Sequence, residues 1–465
     1  MAPENLLILS DSAAGITGLG RIGRELANNI YRDLSDVFRV GVAGVGGNYS
    51  SKLPYPNYPI QQLQNMVPLD LPRIWQDFAG DDGGTILCIW NIAWLTWLSC
   101  PERLPIGHPL REFLMPTAEK PEGLNDAQWN KLSPQMQRIV GKSKPAPFKK
   151  WLYCPVDGEL PDGTMGKEAE PVLRGFDRLL AYTKYGSGVI TKTLTDAGLN
   201  VSKPIPNLPH GLDSTVFYPR DKAEARRTLI HRLSEGKTQM PIYDDVTLIG
   251  VVATNSFRKD MGLAFETASE LLKCGLNVFM WVHTNSLGTD GSPNTYWNLL
   301  ALAQQFGMGQ RVILTAHNIN DEDMAWCYSA CDVTLGIGSE GWGYPLAESL
   351  GCGVPVVHMS YAGGTDYVPK EYQVDAPAYR LESKWMIRRP SFVAKDWADR
   401  VIFCLTPEGK ALAKLPDYIR WENAWPKWKE WLIAGVNRGV EAQAGDSPET
   451  ADMAPGEHRD SDGGD

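Results

Sequence analysis

Short apolar runs alternate with glycine-bearing turns and segments of helical periodicity along the first 200 residues. An apolar run at residues 6–9 is followed by a glycine-rich stretch, a helical pattern over residues 21–34, and a second apolar run at residues 38–45. Strand, glycine loop, helix and strand in this order open a doubly wound α/β sheet. Residues 86–90 are apolar on both faces, as a buried parallel strand requires. Further strands are expected at residues 151–155 and 179–183.

A second series of the same kind begins after residue 215, where the composition changes. A charged helical stretch over residues 222–237 precedes a β-branched strand at residues 246–253. The later strands of this series are expected at residues 277–282, 312–315, 333–337 and 354–358. About six strand–helix steps in each half fit two Rossmann-like domains in tandem.

Residues 101–150 interrupt the first series, since they are rich in proline and polar residues and too long for a plain connection. We therefore expect an insertion on the first domain. Its end, residues 138–151, carries basic residues beside two aromatic ones: Arg138, Lys142, Lys144, Phe148, Lys149, Lys150 and Trp151. Such a stretch suits DNA, an anionic membrane, an anionic glycan or plain solvent, and the sequence does not choose among them.

The last helical pattern covers residues 418–436 and places Trp421, Trp425, Trp428 and Leu432 on one face. A stripe of this spacing is typical of core packing. A platform for a sugar ring is the alternative interpretation.

Composition places the chain among ordinary globular proteins. Of its 465 residues, 43% are hydrophobic and 22% charged, which excludes disordered, collagen-like and coiled-coil chains. Eight cysteines without a CxxC pair favour free thiols in a reducing cytoplasm. We find neither a signal peptide nor an apolar stretch long enough to span a membrane, so a cytoplasmic location is expected.

The formal net charge of −10 is concentrated at the end of the chain. Residues 441–465 hold eight acids against one arginine and are rich in Gly, Ala, Ser and Pro. This composition predicts a disordered acidic tail.

The stretch GLGRIG at residues 18–23 matches the GxGxxG fingerprint of NAD-binding proteins. Two features of its context disagree with that fingerprint. Residues 10–17 separate it from the preceding apolar run, and the next strand ends in VAGVG without the acid that would bind the ribose. An NAD-dependent oxidoreductase is therefore the alternative function. Backbone N–H groups at a helix start also suit an anion, and a plain turn is equally open.

The most informative stretch is GSEGWGYPLAESLGCGVPVV at residues 338–357. An expected strand leads into a glycine loop, and a helix is expected from about Pro345, because proline suits the first helical turn. Glu340 lies in the loop and Glu348 one turn into the helix. Glycines such as Gly341 and Gly343 let the backbone approach a ligand closely. Bare N–H groups at the helix start favour phosphate, and a carboxylate there accepts hydrogen bonds from sugar hydroxyls.

This stretch resembles the E-x7-E signature of retaining glycosyltransferases with the GT-B fold, in particular family 4 of the glycosyltransferases. The resemblance extends to NLPHGLD and FYP within residues 207–219, to GVVATNSFRKDMG at residues 250–262, and to the strand-and-helix step at residues 311–332. It covers residues 205–370 well and the N-terminal half only loosely.

The resemblance implies two Rossmann-like domains facing each other across a cleft, with the C-terminal helix crossing back to the first domain. The implied divisions are an acceptor domain, a nucleotide-sugar-binding domain, the returning helix and the tail: residues 1–215, 216–415, 416–438 and 439–465.

The same resemblance implies the roles of individual residues. Lys259, with Arg258 beside it, would hold the donor diphosphate. Glu340 would contact the transferred sugar, and Glu348 the ribose hydroxyls. The other expected donor contacts are Gly18 and Gly20 near the phosphates, backbone around Leu314 near the base, and the glycine loop Gly341, Trp342 and Gly343.

Two positions depart from the family pattern. The arginine usually found about five residues before the lysine is Thr254 here, so Arg258 is expected to substitute for it. A histidine that many relatives have after a mid-domain strand is replaced by Asp157. Asp157 is therefore a candidate catalytic residue, and capping of a turn is the alternative.

The implied activity is transfer of a sugar from a nucleotide-sugar donor to a hydroxyl acceptor, without a cofactor or metal. A metal would need a pattern such as DxD, and the one at Asp321 to Asp323 is preceded by Asn320, which suits a helix N-cap. The donor's base and sugar, the oligomeric state and the acceptor (a glycan, lipid, small molecule or modified DNA base) are open. A non-catalytic glycan-binding relative is the second alternative.

Overall fold

The computed structural model describes residues 2–15, 17–46, 49–60, 69–105, 108–115, 123–132, 148–233, 245–289, 296–382 and 387–441. These residues form two parallel six-stranded sheets flanked by helices, as the alternation of apolar runs predicts. No described helix is both long and apolar enough to cross a membrane. All eight cysteines are free thiols, as expected.

The first sheet has the strand order β3-β2-β1-β4-β5-β6. Its strands are β1 (Glu4–Asp11), β2 (Phe38–Val45), β3 (Asn57–Ile60), β4 (Gly84–Cys88), β5 (Phe148–Cys154) and β6 (Arg178–Ala181). The helices of this half are α1 (Gly18–Asp33), α2 (Leu71–Ala79), α3 (Thr96–Ser99), α4 (Pro109–Leu114), α5 (Asp126–Trp129), α6 (Ala169–Arg174) and α7 (Lys184–Asp196). The short strand β3 is absent from the sequence prediction.

The second sheet has the order β12-β11-β10-β7-β8-β9. Its strands are β7 (Thr247–Val252), β8 (Val278–His283), β9 (Val312–Thr315), β10 (Val333–Gly336), β11 (Val356–Met359) and β12 (Gln373–Val374). The helices are α8 (Lys222–Leu233), α9 (Met261–Lys273), α10 (Leu299–Gln305), α11 (Asp321–Ala330), α12 (Tyr344–Gly351), α13 (Ala394–Leu405), α14 (Pro407–Ala411) and α15 (Trp421–Glu441). The short strand β12 was not predicted. A separate antiparallel hairpin, β13 (Ala378–Leu381) and β14 (Arg388–Ser391), was not predicted either.

The helix α15 crosses back to the first half of the chain. The Trp425 indole donates to Asp33 at 2.6 Å, and the Trp428 indole donates to the Pro209 carbonyl at 2.9 Å. Trp428 is fully buried. The aromatic stripe is thus core packing, and the sugar-platform interpretation is wrong for it. The helix extends to Glu441, three residues beyond its expected end at residue 438. Residues 442–465 lie outside the described part, so the acidic tail stays a prediction.

The basic segment is only partly described. Arg138, Lys142 and Lys144 lie outside the described residues. Lys149 and Lys150 belong to β5, so the predicted insertion ends inside a strand rather than before one. Lys149 pairs with Glu4 at 3.6 Å. These two lysines are therefore strand residues and do not form a loop.

Candidate functional site between the two sheets

The carboxyl end of β10 leads through a glycine loop into α12. Gly343 has φ 89°, a conformation that residues with a side chain rarely adopt, and it forms the N-cap of α12 with Pro345 in the first turn. Glu340 lies in the loop and Glu348 within the helix. The eight-residue spacing thus places both carboxylates at the carboxyl edge of the sheet, where ligands of parallel sheets bind.

Lys259 and Arg258 reach Glu340 from the loop after β7. The Lys259 ammonium contacts the Glu340 carboxylate. Arg258 lies 3.4 Å from the same carboxylate and donates to the Ser339 carbonyl at 2.9 Å. Gly338 makes room for this lysine, because a Cβ there would lie 2.5 Å from the Lys259 Cδ. The structure therefore brings together three residues that the sequence assigns to one site.

Lys259 is only 5% exposed. Burial lowers the pKa of its ammonium well below the usual range, and the Arg258 guanidinium acts in the same direction. The Asp157 carboxylate raises this pKa. A buried lysine beside an arginine creates a local demand for negative charge, which a phosphate group would meet.

Both carboxylate oxygens of Glu348 have protein partners. Arg21 of α1 donates to one at 2.5 Å, and the Tyr328 hydroxyl donates to the other at 2.8 Å. Burial raises the pKa of Glu348, and the Arg21 charge opposes that shift. The Arg21 guanidinium also lies over the Tyr344 ring at 4.3 Å. The pair Arg21–Glu348 joins the two halves of the molecule, and sequence reasoning gave Arg21 no role.

Asp157 lies directly opposite the glycine loop. Its carboxylate accepts a hydrogen bond from the Gly341 N–H at 2.7 Å. A Cβ on Gly341 would lie 2.9 Å from the Val156 backbone nitrogen, so the two walls approach each other closely here. Asp157 of the first half of the chain thus meets the loop that carries Glu340 in the second half.

The GLGRIG stretch is not a loop before a helix, which corrects the sequence interpretation. The helix α1 begins at Gly18, and the Gly20 N–H is bonded to the Thr17 hydroxyl at 3.1 Å. A Cβ on Gly20 would lie 2.4 Å from the Ser12 carbonyl, and one on Gly23 would lie 2.5 Å from the Ser10 Oγ. These two glycines permit close packing of α1 against the end of β1 and the residue that follows it. Gly18 is exposed and faces the Tyr344 ring, where an added Cβ would be 3.8 Å away.

The remaining candidates have packing contacts. Trp342 is buried, with its ring 4.5 Å from that of His210 and 4.7 Å from that of Tyr367. Leu314 is partly buried near the end of β9. A cavity of about 90 Å³ borders the loop after this strand and is lined by residues that include Leu229, His317, Asn320 and Trp326.

The DxD-like triplet is a helix start, as predicted. The Asn320 side chain accepts from the Asp323 N–H at 2.8 Å and so caps α11. Within the described ranges, no group of three or more His, Cys, Asp or Glu side chains is arranged to hold a metal ion.

The hairpin β13–β14 adds a residue that sequence reasoning missed. The Arg389 guanidinium contacts the Ser339 hydroxyl and donates to the Asp157 carbonyl at 3.3 Å. No motif marks this position, because Arg389 is 50 residues from Ser339 and 232 from Asp157 in the chain.

His358 is a fully buried residue of β11, and its burial predicts how stability depends on pH. Its Nδ1 is 2.8 Å from the Gly336 carbonyl. Burial lowers the pKa of His358 to about 4, whereas an unfolded histidine titrates near 6.5. Below about pH 6.5 the His358 imidazole binds a proton in the unfolded chain but not in the folded protein. The free energy of unfolding therefore falls with falling pH until about pH 4.

We expect His358 to lower the free energy of unfolding by about 1–2 kcal/mol when the pH falls from 7.5 to 5. Urea unfolding of His358→Gln at both pH values should show a smaller loss than the wild type. His317→Gln, at an exposed histidine of the same half, is the control and should match the wild type. A wild-type pH slope in His358→Gln would contradict the assignment.

No protein-family model and no curated protein sequence matches this chain. Solved structures match along nearly its whole length. A sucrose-phosphate synthase from Thermosynechococcus elongatus is 14% identical with a TM-score of 0.61, covering 95% of this chain and 100% of its own. An α,α-trehalose 6-phosphate synthase from Burkholderia multivorans is 10% identical with a TM-score of 0.60, at the same coverage.

A further match is a trehalose-6-phosphate synthase whose structure was studied for glycosyl transfer with retention. It is 12% identical with a TM-score of 0.55, covering 93% of this chain and 99% of its own. At such identities these likenesses show the fold alone. The expectation of a GT-B architecture is confirmed.

Proposed function

We propose that the protein is a retaining glycosyltransferase that moves a sugar from a nucleotide-sugar donor to a hydroxyl acceptor without a metal ion. The observation that carries the proposal is the contact between Lys259, Arg258 and Glu340 at the carboxyl edge of the second sheet. Cations for a leaving diphosphate and a carboxylate for a sugar lie there within one group of side chains. The similarity of fold to synthases of phosphorylated disaccharides supports the same class of reaction.

Lys259 and Arg258 would neutralise the leaving diphosphate. Glycosyl transfer places negative charge on the departing phosphate oxygen, and fixed cations in a water-poor site stabilise it strongly. Lys259 is bound to Glu340 in this structure, so a diphosphate that binds the lysine competes with that carboxylate. Donor binding would therefore exchange one anion for another and release Glu340 towards the sugar.

Glu340 and Asp157 would act on the sugar side of the reaction. The bond from the anomeric carbon to the phosphate oxygen breaks, the bond to the acceptor oxygen forms, and the acceptor proton passes to the leaving diphosphate. Positive charge develops on the sugar meanwhile, and a nearby carboxylate stabilises it. Asp157 accepts a hydrogen bond from the N–H of Gly341, the residue after Glu340, so it would approach the same sugar.

Glu348 would accept hydrogen bonds from the ribose hydroxyls. Its buried carboxylate is held in place by Arg21 and Tyr328, which orients it without consuming every lone pair. The loop of Gly341, Trp342 and Gly343 would border the donor, with Gly18 opposite, while the Gly341 N–H stays bonded to Asp157. The backbone around Leu314 would meet the base.

The alternatives have less support. An NAD-dependent oxidoreductase needs a glycine loop that approaches a pyrophosphate, but Gly20 and Gly23 approach Ser12 and Ser10 instead. A non-catalytic glycan-binding protein would not need a buried lysine beside the carboxylate.

We also propose a cytoplasmic enzyme whose acceptor is a glycan, lipid, small molecule or modified DNA base.

The test of the function is the stereochemistry of transfer. UDP- and GDP-sugars of several kinds are incubated with the protein, and donor hydrolysis identifies the substrate. Proton NMR of the first-formed product should show the donor's anomeric configuration. Retention is also the outcome named for the trehalose-6-phosphate synthase of similar fold. Inversion would remove the protein from the retaining enzymes, and no hydrolysis of any donor would count against the whole proposal.

A further inference from the structure

The hairpin β13–β14 belongs to neither sheet and crosses the cleft. The Arg388 guanidinium donates to the Glu159 carboxylate at 2.7 Å, and its backbone N–H donates to the Glu159 carbonyl at 2.6 Å. The Tyr361 hydroxyl accepts from the Glu159 N–H at 2.9 Å and donates to the Arg388 carbonyl at 2.5 Å. The hairpin is therefore fastened to the segment of the first domain that carries Asp157.

Arg389 points to the opposite side of the same strand, since side chains alternate along a strand. It is 7% exposed. Its Nη1 donates to the Asp157 carbonyl and to the Ser339 hydroxyl, and its Nε donates to the Glu382 carboxylate. One guanidinium thus joins Asp157 to the residue before Glu340.

We propose that Arg389 is a positioning residue that sets the separation of Asp157 and Glu340 across the cleft. The inference rests on the proposed function for the roles of those two carboxylates. A planar guanidinium holds several acceptors in a fixed geometry, which an ammonium on a flexible stem cannot do. The Gly341–Asp157 hydrogen bond provides a second link between the same segments, so losing Arg389 loosens the cleft without opening it.

Hydrogen exchange tests the link without any substrate. In Arg389→Ala we expect amide exchange at residues 338–343 and 156–159 to accelerate about tenfold, the effect of losing about 1.4 kcal/mol of local stability. Arg380→Ala is the matched control, since Arg380 is an exposed arginine of the same hairpin above the Phe257 ring. Equal exchange in both variants would overturn the proposal.

The double variant Arg389→Ala/Glu382→Ala avoids leaving the Glu382 carboxylate without its partner. It keeps the test valid if the single variant folds poorly. Ser339→Ala removes the hydroxyl that accepts from Arg389 and should accelerate exchange in the same two segments to a smaller extent. No acceleration in either of these variants would equally overturn the link.

Donor hydrolysis tests the consequence. For Arg389→Ala we expect kcat to fall about 30- to 100-fold with the donor KM changed less than about threefold, since misplacement by about 1 Å costs a factor of this size. Arg389→Lys keeps the charge without the planar geometry and should stay near the alanine value. Wild-type kcat in Arg389→Lys, or a loss confined to KM, would overturn positioning. If the wild type hydrolyses no nucleotide sugar, the proposed function fails, while hydrogen exchange still decides the link.

Discussion

The substitution Glu340→Gln is expected to lower donor turnover by about 10²–10³-fold and, at the same time, to tighten binding of UDP or GDP by about three- to tenfold. The first effect follows from losing a negative charge next to a sugar that becomes positive. The second follows from the contact between Glu340 and the Lys259 ammonium. A glutamine amide competes with a diphosphate for that ammonium far less than a carboxylate does.

Calorimetric titration with UDP and GDP, alongside hydrolysis of the matching nucleotide sugars, measures both effects. Glu348→Gln is the matched control, because it makes the same change eight residues away. It should weaken nucleotide binding, since the amide is a poorer acceptor for ribose hydroxyls and loosens the Arg21 contact. Weaker diphosphate binding in Glu340→Gln would show that Glu340 does not compete for Lys259.

For Lys259→Ala we expect the affinity for nucleoside diphosphate to fall about 10- to 150-fold while that for the nucleoside changes little. Loss of a charge-assisted contact to phosphate is worth about 1.5–3 kcal/mol, which gives this range. The same measurement on Lys273→Ala, at an exposed lysine of the following helix, should match the wild type. Equal losses for nucleoside and diphosphate would contradict the phosphate role.

The pH dependence of the affinity for nucleoside diphosphate provides a further test of the role of Lys259. Burial lowers the pKa of Lys259, so the ammonium loses its proton at a lower pH than an ordinary lysine does. Wild-type affinity for the diphosphate should therefore decline with rising pH before the pH reaches the range where an ordinary lysine loses its proton. Lys259→Ala should lack that decline.

Local patterns were sufficient for the architecture. The apolar runs predicted five strands of the first sheet and five of the second within a few residues, because buried parallel strands are apolar on both faces and helices between them repeat every 3.6 residues. The strands β3 and β12 and the hairpin β13–β14 escaped prediction. These strands have only two to four residues, and β13 is exposed along its whole length, so none carries a strong periodic signal.

The literal GLGRIG match shows how a local pattern misleads. Glycine is required wherever a Cβ would collide, and the chain does not say whether the neighbour is a pyrophosphate or a protein atom. In the folded chain the neighbours of Gly20 and Gly23 are Ser12 and Ser10. The glycines of this motif are therefore required by the close packing of α1. Only the folded chain distinguishes this cause from the approach of a pyrophosphate.

The sequence alone determined that two α/β units follow each other and that Glu340 and Glu348 lie one loop and one helical turn past a strand, because both are consequences of local spacing. The tertiary structure decided which charges meet: Lys259 with Glu340, Arg21 with Glu348, and Arg389 with Asp157 and Ser339. These partners lie between 50 and 327 residues apart in the chain. No periodicity of 2.0 or 3.6 residues reaches that far, and long-range ion pairs form only when separate strand ends are brought to one edge of a cleft.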